Sequence, residues 1–258
     1  MNKYGEKETA NHTHAICRGI IILCILGAAA AIAFLAFHYY QSTAEEKAAL
    51  QQDNLYESVR PESGESGNSE DRSYLDDALA VNPDTVAWLT IPDTVIDFPI
   101  VQCEDNSYYL SHGFDRSEYA RGCPFLDYRN SSDFTDFNSI IYGHHIRGGQ
   151  VFSGVEYYKE QAYFDAHPTG ELILPYEKYT VEFFACVVVE SDSFLYSVVH
   201  PGVSDRELYL EMIQEAMVAG TGFAPEDLTE ERLLVLSTCS YEYDGARTAL
   251  IGRLVEEG

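Results

Sequence analysis

Basic residues are scarce in this chain of 258: 16 Lys and Arg stand against 42 Asp and Glu, a formal net charge of −26. Affinity for a phosphate backbone rests on neutralisation by Lys and Arg with release of counterions, so this balance excludes nucleic acid as a natural partner. Cysteine is thin as well. There are 6, with no C-x-x-C among them, which excludes a disulfide-built scaffold and a zinc or dithiol motif of familiar spacing. Internal repeats are absent, and a hydrophobic share of 46% excludes a disordered or collagenous chain.

What the chain does have begins with an apolar run. Gly19 to Phe37 carries no charged side chain, and a helix of that length rises roughly 28 Å, about the thickness of a bilayer's hydrocarbon core. Ala31-Ile32-Ala33 offers an A-x-A cleavage site. The apolar core of a cleaved signal is shorter, however, roughly 7–15 residues, and this run continues to Phe37, Tyr39 and Tyr40. An uncleaved anchor over residues 19–40 is therefore expected. Lys3, Lys7 and Arg18 precede it, and only Lys47 and Arg60 follow at comparable distance. The positive-inside rule then places residues 1–18 in the cytoplasm and the bulk outside.

Residues 41–73 read as a juxtamembrane helix over Ser42 to Leu50, then a solvated tether from Arg60 to Ser73, rich in Gly, Ser, Pro and Glu and free of aliphatic residues. One folded domain is expected over residues 74–258. It opens with a short helix, Tyr74 to Val81, stopped by Asn82-Pro83. Strands are expected at Val86–Ile91, Val95–Val101, Ser139–Tyr142, Glu171–Pro175, Tyr179–Glu190, Leu233–Thr238 and Thr248–Val255, which are rich in Val, Ile, Tyr, Phe and Thr. One longer helix interrupts them. Ser204-Asp205-Arg206-Glu207 reads as a capping box, Leu208, Met212 and Ala216 as its apolar stripe, and Gly220 as its stop. Short strands with few helices predict a mainly β domain, a barrel with helical insertions.

Three places could carry chemistry. Leu233, Val235, Ser237 and Cys239 share one face of an apolar strand, with the thiol at its end. Such a thiol is either a substrate-facing nucleophile on a rigid support or an ordinary core cysteine. Ile140-Ile141-Tyr142-Gly143-His144-His145 is a second apolar strand, ending in a turn with two histidines. An imidazole there is either an acid–base group or a surface residue. Zinc is disfavoured, because adjacent histidines diverge and no further ligand has recognisable spacing. Arg247 opens the strand after Cys239, so both flank one loop. Its guanidinium either stabilises a developing oxyanion or pairs with Glu242 or Asp244. A Cys103–Cys123 bridge also stays open.

Taken together, His144, Cys239 and Arg247, in that order on strand ends of an anchored β-domain, resemble a sortase, and the details resemble class B. The cysteine ends a Thr-Cys strand, Leu236-Ser237-Thr238-Cys239, and the histidine follows Tyr142-Gly143. The likeness extends through Asn82-Pro83-Asp84, Trp88, the stretch Ile91 to Gln102, Tyr109-Leu110, Gly122 to Asn130 and Phe164-Asp165-Ala166-His167-Pro168, covering essentially all of Tyr74 to Val255. It implies a closed barrel of about eight strands, with an N-terminal helix and a helix, here Ser204 to Ala219, between strands 6 and 7.

The resemblance also implies an activity. Sortases are cysteine transpeptidases that join secreted proteins to Gram-positive cell envelopes. Cys239 would attack the Thr carbonyl of a C-terminal sorting signal, and an amine of a peptidoglycan precursor such as lipid II would resolve the thioester. His144 would be the acid and base, and Arg247 the oxyanion donor. Asn106 and Leu110, Leu195 and Tyr196, and Ser237 and Thr238 would contact substrate. For Asn106 and Leu110 a loop amide and a core leucine are equally open, and Tyr196 reads equally as packing. His145 is read as a neighbour. No cofactor or metal is implied.

Rival readings are a papain-like or NlpC/P60-type envelope cysteine peptidase and a non-catalytic anchored binding module. The peptidases usually place Cys before His on a helix N-terminus, the reverse of the order here. An L,D-transpeptidase fits less well, since Phe114 stands after Ser111-His112-Gly113 where a cysteine is needed.

Overall fold

The computed structural model describes residues 4–61, 73–146, 150–200, 202–240 and 242–256, with the backbone alone for 4–22 and 150. Most of the expected tether, residues 62–72, lies outside them. The first element is a single long helix, α1 (Tyr4–Val59), which runs past Leu50 because nothing in Gln51 to Val59 breaks it. It stops just before Arg60-Pro61, where the proline ring disfavours helical backbone in the preceding residue.

The chain divides into two compact units, residues 1–51 and 52–258. In the first, Leu23, Ile25, Leu26, Ile32, Phe34, Leu35 and Phe37 are all exposed. That stretch is long and apolar enough to cross a membrane. In the second, Leu55, Tyr56 and Val59 pack with Leu75, Trp88, Tyr109 and Phe114. The packed unit thus begins at Gln52, upstream of the Tyr74 boundary expected from composition.

After α2 (Asp76–Val81) the second unit is built on strands: β1 (Thr85–Thr90), β2 (Asp97–Val101), β3 (Phe125–Leu126), β4 (Asn138–Tyr142), β5 (His145–Ile146) and β6 (Gln150–Val151). A 3₁₀ segment, Phe152–Lys159, and α3 (Gln161–Ala166) lead to β7 (Thr169–Ile173) and the long β8 (Lys178–Glu190). Then come α4 (Val203–Ala216), β9 (Met217–Gly220), β10 (Leu233–Cys239) and β11 (Ala246–Glu256). The sheet order is β11-β10-β4-β3-β2-β1-β7-β8, and β8 pairs back onto β11 to close an eight-stranded barrel of mixed direction. β9 extends from β8, and β5 with β6 forms a separate ribbon. Closure bears out the barrel expectation, and α4 falls between the sixth and seventh barrel strands.

Alternation along the strands decides what each face meets. Ile141, Leu172, Val181, Leu234, Leu236 and Leu250 point into the barrel. Ile140, Val187, Leu233, Val235, Ala249 and Ile251 point outward and are covered by Tyr209, Leu210 and Ile213 of α4. Strands under that cover are buried on both faces, so their sequence reads as a continuous apolar run.

Three local expectations differ from the structure. The N-cap of α4 is Gly202 rather than Ser204, its carbonyl accepting from the amides of Asp205 and Arg206. The buried stripe is Tyr209, Leu210 and Ile213, while Leu208 is exposed. The helix ends at Ala216 because Met217–Gly220 pairs with β8 as a strand. β3, β5, β6 and β9 have between two and four residues, too short for a periodic pattern.

Candidate active site

Strand direction brings distant residues to one end of the barrel. β4 and β10 run parallel, with Ser237 opposite Tyr142, so their C-terminal ends emerge side by side. His144 lies two residues beyond β4, and Cys239 is the last residue of β10. β11 returns antiparallel, and Cys239 stands directly opposite Arg247. Side chains so paired share a face, with Cβ atoms about 4.5–5.5 Å apart.

A cleft of about 490 Å³ opens at this end. Cys239, His144 and Arg247 all line it, with Asn106, Leu110, Tyr196, Ser237 and Thr238. His144 Nε2 lies 2.9 Å from the Leu110 carbonyl. A carbonyl only accepts, so Nε2 carries a proton in this geometry. Arg247 Nη1 donates to the carbonyls of Ala246 (3.0 Å) and Gly245 (3.4 Å). Glu242 goes to Lys159 instead of Arg247. Burial raises the Glu242 pKa, but the hydrogen bonds from Lys159 and Ser240 outweigh it and bring the carboxyl down to about 2.

Two backbone features hold the histidine. The Gly143 amide donates to the Ser237 carbonyl (3.1 Å), and Thr238 Oγ1 donates to the Gly143 carbonyl (2.8 Å). A Cβ on Gly143 would lie 2.5 Å from Cγ of the buried Phe152, so only glycine fits this crossing.

The rest of the cleft rests on a polar network centred on Asp127, whose side chain is fully buried. It takes a bidentate pair of bonds from Arg129 (2.8 and 2.6 Å), a third from Asn106 Nδ2 (3.0 Å) and a fourth from the Tyr142 hydroxyl (3.0 Å). Burial pushes the Asp127 carboxyl up, and the Arg129 and Asn106 bonds reverse this, leaving it below the usual range. Arg129 reaches on to the Tyr196 carbonyl (3.1 Å). The Tyr196 ring stacks on Tyr142 at 6.0 Å, and its hydroxyl meets Ser237 Oγ at 2.9 Å. Burial raises the pKa of both tyrosines, keeping their hydroxyls neutral.

Leu110 is a cleft residue, 40% exposed, and not a core leucine. Leu195 is the exception among the expected contacts. It is fully buried with the α4 layer and does not line the cleft, because the 3₁₀ turn Phe194–Tyr196 sets Leu195 on its inner side and Tyr196 toward the cleft. Cys103 and Cys123 both carry free thiols. Among the described residues no group of three His, Cys, Asp or Glu is placed to hold a metal ion.

No family model matches the chain. The sortase B of Listeria monocytogenes is similar at 36% identity over 190 residues, 73% of this chain and 76% of that protein. The chain belongs to the sortase B family. A mutant form of Clostridium perfringens sortase B is similar in structure, with a TM-score of 0.71 at 26% identity, over 80% of this chain and 97% of that one. A Staphylococcus aureus sortase B–substrate complex shares the fold, with a TM-score of 0.67 at 20% identity, over 84% of this chain and 97% of that one. As a member of the sortase B family the chain is a cysteine transpeptidase, which leaves the peptidase and binding-module readings without support.

Sequence reasoning gave no role to Asp127, Arg129 or Tyr142. All three sit in stretches quoted for the likeness, but Asn106 and Tyr142 reach Asp127 from separate segments, and neither period nor spacing signals such a hub.

Proposed function

We propose that Cys239 of this sortase B homologue, its thiol proton passed to His144, attacks the Thr carbonyl of a C-terminal sorting signal as the thiolate. The oxyanion of the tetrahedral adduct is met by the Arg247 guanidinium. The adduct collapses as His144 gives a proton to the departing amine, leaving a thioester on Cys239. His144 then takes a proton from the incoming amine of a peptidoglycan precursor, which displaces the sulfur and forms the new amide. Amines leave poorly without protonation, so the imidazole matters most in acylation.

Asn106, Leu110, Tyr196, Ser237 and Thr238 form the wall along which the signal lies. The partners are secreted proteins bearing such a signal. The apolar stretch of α1 anchors the enzyme, N-terminus inward, with residues 52–258 on the outer face. The observation that carries this reading is the single cleft lined by thiol, imidazole and guanidinium.

The test uses the full chain in detergent with a pool of NPQTN-like and (S/P/N)PxTG-like peptides and hydroxylamine. A hydroxamate at Thr is expected, and Cys239→Ala abolishes it while leaving the melting temperature in place. Hydrolysis elsewhere in the peptide, or no reaction with any member of the pool, would overturn the proposal.

A further inference from the structure

The loop joining Cys239 to Arg247 is held by a ladder of side chains on the side of the hairpin away from the cleft. Ser240 Oγ donates to the Glu242 carboxylate, and Glu242 pairs with Lys159. Lys159 also pairs with Glu156, one turn back in its 3₁₀ segment, and Glu156 accepts from Thr248 Oγ1. The two ends of the ladder are the residues immediately after Cys239 and Arg247. Strand alternation turns Thr248 to the opposite face from Arg247, and Thr248 is fully buried there.

Lys159 is the single cation in this ladder, between two carboxylates. Its side chain is 26% exposed, that of Glu156 14% and that of Glu242 36%. Without Lys159, Glu242 would be a carboxylate with no counter-charge, kept by the Ser240 hydroxyl alone among the described residues, on the very loop that ends in Arg247. Among the described residues the Arg247 side chain is held by two backbone carbonyls, so it has little to resist capture by an anion. A carboxylate would compete with a developing oxyanion for the same donors.

We infer that Lys159 is a positioning residue for the reaction at Cys239: by engaging Glu242 it keeps that carboxylate off Arg247 and leaves the guanidinium to the substrate. This rests on the role given to Arg247 above. It adds a requirement that the role alone does not contain, a cation outside the cleft that keeps the oxyanion donor available.

The experiment measures steady-state hydroxamate formation by full-length wild type, Lys159→Met, Glu242→Gln and the double variant. Removal of one oxyanion donor costs about 10²–10³ in kcat, so partial capture of Arg247 in Lys159→Met is expected to lower kcat at least tenfold, with KM little changed. Glu242→Gln, which removes the competing charge, stays within about threefold of wild type, and the double variant returns to that level. High salt, with a Debye length near 3 Å at 1 M, recovers part of the Lys159→Met loss. If Lys159→Met does not fold, Lys159→Gln is read by the same criteria. A Lys159 variant with full kcat overturns the inference, and so does a double variant as slow as the single one. An inactive wild type would instead sink the transpeptidation reading itself.

Discussion

Thr238 donates its hydroxyl to the Gly143 carbonyl at 2.8 Å, tying the residue before the thiol to the residue before the imidazole. The two strands carrying Cys239 and His144 are thereby locked at their ends by a side chain as well as by the ladder. Thr238→Val keeps the shape and deletes the bond. It is expected to cost about 1 kcal/mol of stability and about tenfold in kcat, since small displacements between reacting groups are costly. Matched denaturation curves and steady-state kinetics check both; an unchanged kcat would separate the bond from catalysis.

Gly143→Ala forces a Cβ toward the Phe152 ring. Overpacking of this kind costs about 1–3 kcal/mol, and relief requires the turn carrying His144 to move. A lowered melting temperature together with a kcat loss larger than that of Thr238→Val is expected. Thermal melts and rate measurements on the same preparation test it.

Tyr196→Phe removes the hydroxyl from Ser237 Oγ and leaves the ring on Tyr142. Loss of about 1 kcal/mol appears as roughly a fivefold fall in kcat/KM, mostly through KM, because the residue lines the wall and stands apart from the reacting groups. A change confined to kcat would contradict that placement.

Like Glu242, Asp127 contributes to the acid limb of stability. Its folded pKa is depressed below the unfolded value of about 3.9. Its contribution is therefore complete above about pH 5 and is lost as pH falls through the folded value. Asp127→Ala is expected to cost about 1–3 kcal/mol at pH 7, since it leaves the Asn106 and Tyr142 donors without their acceptor, and to lessen the decline in stability between pH 5 and 2. Urea midpoints across that range read both effects.

How far the sequence reveals this molecule depends on how locally each feature is encoded. The strand ending in Thr238-Cys239 and the turn Gly143-His144 are legible because two-sided burial leaves an apolar run and the turn needs a small residue. Closure of β8 on β11 leaves no mark that periodicity could read; it came with the family likeness. The capping box at Ser204 misleads because the helix takes its start from the Gly202 carbonyl and its buried face from what α4 covers. The packing of Leu55, Tyr56 and Val59 is hidden for a similar reason, as they have the spacing of any helical face and only the packed partner gives it meaning. Asp127 is invisible for the opposite cause: Arg129 is a near neighbour, but the other donors, Asn106 and Tyr142, reach the buried carboxylate from distant segments.

β10 lies between β4 and β11, and Leu233 to Thr238 are buried on both faces. Amides so enclosed exchange with solvent only when the whole cooperative unit opens. Fraying at the surface therefore cannot loosen the seat of the Cys239 sulfur. Thermal inactivation of this enzyme should track global melting, with no warmer interval in which a folded barrel carries a disordered thiol.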